Sequence, residues 1–537
     1  KFSIGMHFLM VYDLIMNIAN SVEAKYIDSR ISRKYNISPL LRMEIAGYKS
    51  SEIIKKNFNL KKVLVVIGLG NNGGDAAVVA RYLKVSNIEV NIYLIKSKRK
   101  RSKELNENIN ILKKLKSTFI EKISTKSIQG YDLILDGIFG IGLNRDIRKD
   151  SHIYKVINMI NKSKNKVCAL DIPSGLSADT GTDFGISIKS DLTITFDILK
   201  VGLINDPGYK KSKKIHLVNL GTPNKDLTIT KNYFVNEKFF INQLLPRDKS
   251  SNKGSHGHTL IIGGSKNMPG AITISGLSAY RAGCGLVSIC VPKCIGHTIS
   301  KSVPEAIIIE MPNSEDKKTF DQRNFIKNLE SKLTKNPSSI VIGPGMGNYV
   351  KFRKLIFDLI KNFDCKFILD ADALNSLGDD IFKLKKYKRK IIITPHPGEM
   401  ARILGLKTKD IQIDRNNCAR SFSKKSKLIT VLKGFRTVVS DINDNVYINS
   451  SGNEGMATGG MGDSLSGIIG SLAAQGYSEL NSAIIGVYIH GKAGDIIFNK
   501  SHSRGILATD IIKNIPKSFE ISNKNHFDER LRITIDE

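Results

Sequence analysis

Three glycine-rich segments in the first half of the chain offer oxygen atoms and free backbone N–H groups to a ligand. Gly68-Leu69-Gly70-Asn71-Asn72-Gly73-Gly74-Asp75 stands where the apolar run Val63–Ile67 gives way to a helical pattern. Glycine there allows positive φ and close backbone approach to a ligand. The helix start that follows presents unpaired N–H groups to an anion. The segment is neither a GxGxxG fingerprint nor a P-loop, since no Gly-Lys-Ser/Thr is present. Asp136-Gly137-Ile138-Phe139-Gly140-Ile141-Gly142-Leu143 follows the run Leu133–Leu135. Asp171-Ile172-Pro173-Ser174-Gly175-Leu176 follows Val167–Leu170. In a parallel sheet the ligand site lies beyond the carboxyl ends of the strands, so all three clusters share one edge. The Asn72 amide, Asp136 carboxylate and Ser174 hydroxyl suit a hard cation better than a soft metal. Asp171 remains as a candidate acid/base.

The second half carries a different chemistry. Gly455-Met456-Ala457-Thr458-Gly459-Gly460-Met461-Gly462-Asp463 opens a helix. Successive N–H groups at such a start form a hole for anionic charge. The Asp at its end can take a proton from a hydroxyl attacking a phosphoryl group, whose developing charge then faces the N–H groups. Four more segments follow strand-like runs: Gly343-Pro344-Gly345-Met346-Gly347, Asp370-Ala371-Asp372, Thr394-Pro395-His396-Pro397-Gly398-Glu399 and Lys433-Gly434-Phe435-Arg436-Thr437. A Lys-Gly turn after a strand can hold nucleotide phosphates. His396, between two prolines at a strand end, is expected to contact a ligand rather than serve only as a core or capping residue. Asp372 and Glu399 are equally suited to magnesium, directly or through water, and to a structural role.

The elements that must position these groups alternate. Strand-like runs at Val63–Ile67, Val90–Ile95, Leu133–Leu135, Val167–Leu170 and Leu192–Phe196 enclose helical patterns such as Asp75–Lys84 and Tyr154–Asn161. From about residue 258 the alternation resumes at Thr259–Ile262, Val287–Val291, Ile340–Ile342, Phe367–Leu369, Ile391–Thr394 and Ile429–Leu432. A Gly- and Ala-rich helical region, Gly462–Phe498, comes last. Both halves read as α/β, with parallel sheets covered by helices. The expected domains span 1–225 and 235–516, with a charged tail at 517–537.

Composition narrows the function. The 537 residues are 41% hydrophobic and 25% charged, as in a soluble globular protein. No run approaches the roughly 20 apolar residues that span a bilayer. Six cysteines without a CxxC pair argue against a disulfide scaffold and a structural zinc site. A reduced, cytoplasmic compartment fits. Ile4–Tyr12 is read as an amphipathic first helix, since Asp13 and Asn17 interrupt any signal-peptide pattern. The net charge of +32 is spread along the chain and favours anionic ligands. Its densest run, Lys96 to Lys103, is read as a solvated loop rather than a nucleic-acid arm.

The first three motifs together resemble the NAD(P)H-hydrate epimerase family over roughly residues 20–220. The resemblance implies a Rossmann-like domain interconverting the R and S epimers of hydrated NADH and NADPH. It implies substrate binding at Asn71, Asn72, Gly73, Gly74 and Asp75, at Gly140, Ile141, Gly142, Leu143, Asn144, Arg145 and Asp146, and at Asp171. It implies a potassium ion on Asn72, Asp136 and Ser174, and Asp171 as the acid/base. Ile45, within Leu41–Gly47, replaces a residue that is usually polar in the family.

The second set of motifs, with Lys253–His258, Gly263-Gly264-Ser265, Arg281–Val287 and Arg504–Asp510, resembles the ADP-dependent NAD(P)H-hydrate dehydratases of the ribokinase-like fold, over about 235–516. This implies hydrate binding at Ala271, Gly347, His396 and Asp463, and Asp463 as the base. It implies nucleotide binding at Lys433, Gly434, Phe435, Arg436, Thr437 and Gly462, with magnesium and ADP, giving AMP and phosphate. Met461, Ser464 and Ser466 stand where the family more often has Thr, Val and Ala. The alternative is a small-molecule kinase of the ribokinase-like superfamily fused to a non-catalytic Rossmann-like module. Retention of Asp171, Asp136 and the full Asn71–Asp75 loop argues against it. The expected partners are the two hydrated dinucleotides, ADP and a second copy of the chain, with no membrane and no nucleic acid.

Overall fold

The computed structural model describes residues 16–97, 99–311, 322–333, 335–347, 350–387, 390–501, 504–520 and 533–535. The expected first helix, Ile4–Tyr12, lies outside the described residues. The chain forms two compact units, an N-terminal one of residues 17–232 joined by 524–537 and a C-terminal one of residues 233–523.

The N-terminal unit contains β1 (Met16–Ala19), β2 (Lys62–Ile67), β3 (Glu89–Leu94), β4 (Thr118–Ile120), β5 (Leu133–Gly137), β6 (Lys166–Leu170), β7 (Leu192–Phe196), β8 (Leu199–Lys200) and β9 (Ile215–Val218). Its sheet runs β9-β7-β6-β5-β2-β3-β4, parallel throughout. A parallel strand covered on both faces reads as one continuous apolar run, and β2 shows why. Val63, Val65 and Ile67 join the core beneath helices Pro39–Asn57, Asn71–Val85 and Lys103–Lys114. Leu64 and Val66 join the core beneath helix His152–Lys162. The period of two along a strand sends alternate residues to opposite faces. β2 lies between β3 and β5, so the chain leaves it first to one side and later to the other. Ligands of open α/β sheets bind at such a switch point, beyond the strand carboxyl ends.

The helix after β2 begins at Asn71, four residues before the periodic pattern. Asn and Gly are weak helix formers, so its first turn carries no apolar signal. Its N-cap, Gly70, makes no side-chain capping bond.

The C-terminal unit contains β10 (Asn232–Val235), β11 (His258–Ile262), β12 (Leu286–Pro292), β13 (Ile307–Met311), β14 (Ser339–Ile342), β15 (Lys366–Leu369), β16 (Ile391–Ile393), β17 (Ile429–Leu432), β18 (Val438–Ser440) and β19 (Val446–Asn449). Strands β13-β12-β11-β14-β15-β16-β17 are parallel, and β18 and β19 add an antiparallel edge. The expected single helical region is two helices, Met461–Ala474 and Glu479–Ser501. The break falls at Gly476, whose φ of 100° is left-handed. Helix Met461–Ala474 is buried along most of its length against helix Pro269–Arg281. The approach is so close that a Cβ on Gly467 would lie 2.1 Å from the Ser275 carbonyl oxygen.

In the charged tail, β20 (Ile533–Ile535) pairs in parallel with β9 and completes the N-terminal sheet. Among the described residues, no helix is long and apolar enough to cross a membrane.

Candidate active sites

In the N-terminal unit, a cleft of about 1310 Å³ opens at the switch point. Asn71, Asn72, Asp75, Gly140 through Asp146, and Asp171 line it. Asp171 is the first residue past β6 and holds a left-handed φ of 62°. Such a backbone is costly for a non-glycine residue and marks functional sites. Its Oδ2 accepts a hydrogen bond from Ile141 N at 3.2 Å, and its Oδ1 lies 2.7 Å from Lys200 Nζ. The buried Lys200 ammonium also donates to Thr195 Oγ1 and the Phe196 carbonyl, at 3.1 and 2.9 Å. Asp75 faces the same cleft. Burial, then the charges of Asp171 and Asp28, hold its carboxyl well above the usual range.

Behind this wall lie Asp136 and Ser174, both fully buried, and Asn72. Ser174 Oγ donates to Asp136 Oδ1 at 2.6 Å, and Ser174 N to Oδ2 at 2.8 Å. Burial pushes the Asp136 carboxyl up to about 6, and the Ser174 bonds partly offset it. Asn72 Nδ2 donates to the Phe139 carbonyl at 2.9 Å. That leaves Asn72 Oδ1 buried without a hydrogen-bond partner. An orphaned amide oxygen beside a buried carboxylate and a hydroxyl is a donor set for a hard cation.

The motif glycines do a different job from the one expected. Gly68, Gly70, Gly73 and Gly74 all avoid positive φ. Backbone packing excludes side chains at Gly68 and Gly73. A Cβ on Gly68 would lie 1.9 Å from the Ile138 carbonyl oxygen, and one on Gly73 would lie 2.7 Å from the Gly68 carbonyl oxygen. Gly73 and Gly74 are buried and do not line the cleft, unlike Asn71, Asn72 and Asp75.

In the C-terminal unit, the predicted segments converge at the strand carboxyl ends. Lys433 Nζ lies 2.7 Å from Asp370 Oδ1 and 3.9 Å from Glu399 Oε2. A Cβ on Gly462 would lie 3.3 Å from Lys433 Nζ and 4.0 Å from Asp370 Oδ2. Helix Met461–Ala474 therefore starts over this ion pair, with Gly460 as N-cap at φ 85°. Asp463 sits in its first turn. Burial, reinforced by Asp370 and opposed by Lys433, pushes its carboxyl up to about 7. A group titrating near neutrality is suited to general-base work.

His396 is the N-cap of helix Pro397–Leu404. Its Nδ1 accepts from Gly398 N at 3.0 Å, while Glu399 Oε2 accepts from His396 N at 2.7 Å. Burial and the charges of Lys433 and Arg402 lower its pKa, so it is neutral at pH 7. Its side chain remains half exposed. Gly347 N donates to Asp372 Oδ2 at 2.8 Å, and a Cβ on Gly345 would lie 2.9 Å from Ala271 Cβ. The segment Lys433 to Thr437 splits in two. Lys433 turns to Asp370. Arg436 donates to the Ser450 carbonyl at 2.7 Å and sits over the Phe234 and Phe435 rings, and Thr437 Oγ1 donates to the Gly434 carbonyl.

Sequence reasoning missed Lys200, Asp370 and the cleft-lining pair Arg42 and Asp28, joined at 2.8 Å. Lys200 had a signal, a lone cation just past a strand end in an apolar stretch. Asp370 stood in a noted motif but was passed over for Asp372. The basic run is expected to be a solvated loop. Its described basic residues are exposed, yet Arg99 and Lys100 line the cleft. Among the described residues, no cluster of three or more His, Cys, Asp or Glu side chains forms a ready metal cage.

Comparison with known proteins covers both units. The family profile described as NAD(P)H-hydrate dehydratase matches residues 259–517, and the profile of the YjeF-related protein N-terminus matches residues 40–202. The Bifunctional NAD(P)H-hydrate repair enzyme Nnr of Moorella thermoacetica is 33% identical over 515 residues, covering 93% of this chain and 96% of that protein. The enzyme of the same name from Escherichia coli is 36% identical over 472 residues, covering 86% of each. The crystal structure of the ADP/ATP-dependent NAD(P)H-hydrate dehydratase from Bacillus subtilis, co-crystallized with ATP/Mg2+, is 28% identical. It covers 53% of this chain and 98% of its own, with a TM-score of 0.47. With two profiles in tandem and full-length relatives at this identity, the chain belongs to the family of bifunctional NAD(P)H-hydrate repair enzymes.

Proposed function

We propose that this chain restores hydrated NADH and NADPH. The N-terminal unit interconverts the R and S epimers, and the C-terminal unit dehydrates the S epimer with ADP. The observation that carries the reading is the convergence of Asp463, Gly462, Lys433 and Asp370 on one helix start.

Hydroxide is a poor leaving group. Asp463 accepts the proton of the ring hydroxyl as its oxygen attacks the β-phosphoryl group of ADP. The N–H groups at the start of helix Met461–Ala474 and the Lys433 ammonium face the charge that develops on the transferred group. AMP leaves. The ring nitrogen then expels phosphate, and the neighbouring carbon loses a proton to restore the double bond. Asp370 holds the Lys433 ammonium in place. Magnesium, if held by Asp372 and Glu399 with the nucleotide phosphates, supplies charge neutralisation.

In the N-terminal unit, Asp171 is the acid/base for epimerisation at the hydroxylated carbon. Its oxygens are fixed by Lys200 and Ile141 N. Potassium fits Asn72, Asp136 and Ser174 and would supply positive charge behind the substrate loop. The buried Asn72 Oδ1 supports that fit.

The test is a mixture of R and S NADPH hydrate with magnesium, potassium and ADP, followed by absorbance of the reduced nicotinamide. Full recovery of NADPH is expected. Recovery stopping at the S fraction would refute the epimerase half. No recovery with ADP or ATP would favour the small-molecule kinase.

A further inference from the structure

The described residues of the basic run occupy a defined place. They follow β3, the second strand of the unit formed by β2, helix Asn71–Val85 and β3. Ser102 N donates to the Leu69 carbonyl at 3.0 Å, which fastens the run beside the glycine turn. Ser102 then caps helix Lys103–Lys114. The Arg99 and Lys100 side chains are exposed and line the cleft, as does Arg145 from the 140–146 loop. Among the described residues, no carboxylate pairs with any of these three cations.

In βαβ dinucleotide sites, a group about 20 residues past the glycine turn reads the adenosine ribose. An acidic residue there bonds the 2′-hydroxyl, whereas an arginine accepts a 2′-phosphate. Lys96 to Lys103 contains no acidic residue. A 2′-phosphate adds about 1.5 to 2 negative charges at pH 7. Guanidinium–phosphate bonds are charge-assisted and geometrically selective.

We propose that Arg99 and Lys100 form a phosphomonoester subsite that makes the epimerase cleft selective for hydrated NADPH over hydrated NADH. The proposal rests on the reading that this cleft binds hydrated dinucleotides. Both substrates carry the pyrophosphate, so cations that held only the pyrophosphate would not discriminate.

The experiment uses the full chain without ADP, which leaves the dehydratase idle. A single epimer of each dinucleotide hydrate is supplied, and the R-to-S ratio is followed by chromatography. The wild type is compared with Arg99→Gln/Lys100→Gln. The wild type is expected to favour the NADPH hydrate in kcat/KM by at least about tenfold, the scale of one charge-assisted hydrogen bond. The double variant is expected to lose that ratio through KM, at an unchanged melting temperature. An equal fall for both substrates, or no fall, would overturn the subsite. A wild type inert toward both hydrates would overturn the reading of the cleft and the subsite with it.

Discussion

Lys200 Nζ lies 2.7 Å from Asp171 Oδ1, and Lys200 is 3% exposed in its side chain. Asp171 follows β6 of the parallel sheet and Lys200 ends β8, which pairs with β1 outside that sheet, so the cation fixes the carboxylate that works in the cleft. Asp171→Asn is expected to lower epimerisation by about 10²- to 10⁴-fold while S-epimer dehydration continues. Lys200→Met is expected to lower epimerisation as well, and to destabilise the unit by about 3 kcal/mol through an unpaired buried charge. Epimer chromatography and a melting curve separate the two effects.

Gly140 offers a steric probe of the same carboxylate. A Cβ there would lie 2.8 Å from Asp171 Oδ2. Gly140→Ala is expected to displace Asp171 and cut epimerase kcat by about 100-fold, the scale of a misplacement near 1 Å. Unchanged kcat would show that the carboxylate need not hold this position.

Potassium is expected to raise the melting temperature of the N-terminal unit, because a ligand bound only by the folded state stabilises it. Lithium, at equal ionic strength, is expected to do less. Asn72→Ala removes the unpartnered oxygen and is expected to abolish the difference. A potassium shift that survives in Asn72→Ala would move the ion elsewhere.

Asp463 sets a pH dependence. Burial favours its neutral acid and pushes it up to about 7. The base is the ionised form, so dehydratase kcat/KM is expected to climb between about pH 6 and 8. Stability runs the other way. Between the ordinary carboxylate range and about 7, the folded state holds a proton that the unfolded state has released, so stability falls as pH rises through that window. Asp463→Asn is expected to lose dehydration by at least about 10²-fold and to be the more stable protein at pH 8. A flat rate profile in the wild type would remove Asp463 from the role of base.

Much of this was legible in the sequence, for physical reasons. Strands such as β2 and β14 are buried on both faces and announce themselves as unbroken Val, Ile and Leu runs. Asp171 and Asp463 stood out because each follows a strand or opens a helix amid glycines. The pair Lys433–Asp370 was hidden because its members lie 63 residues apart and meet only when β15 and β17 align their ends. Lys200 was hidden likewise, 29 positions after Asp171. Strands β18 and β19, three and four residues long around the Asp441–Asn445 turn, were too short for their pattern to show. The glycines of the first motif were recognised, but their cause was misassigned. Gly68 is required by a backbone oxygen of Ile138, not by its own dihedral angle.

Strand β20 bears on how the molecule is made. It pairs Ile533 with Ile215, Thr534 with His216 and Ile535 with Leu217. The sheet of the N-terminal unit is therefore finished only after a strand encoded beyond the C-terminal unit has been made. Until then β9 presents an unpaired border of backbone donors and acceptors, the surface on which strands of other molecules add. Cutting the gene between the two units would make that transient border permanent. A separately expressed epimerase half needs residues 533–535 supplied, by circular permutation or as a peptide, to remain free of self-association.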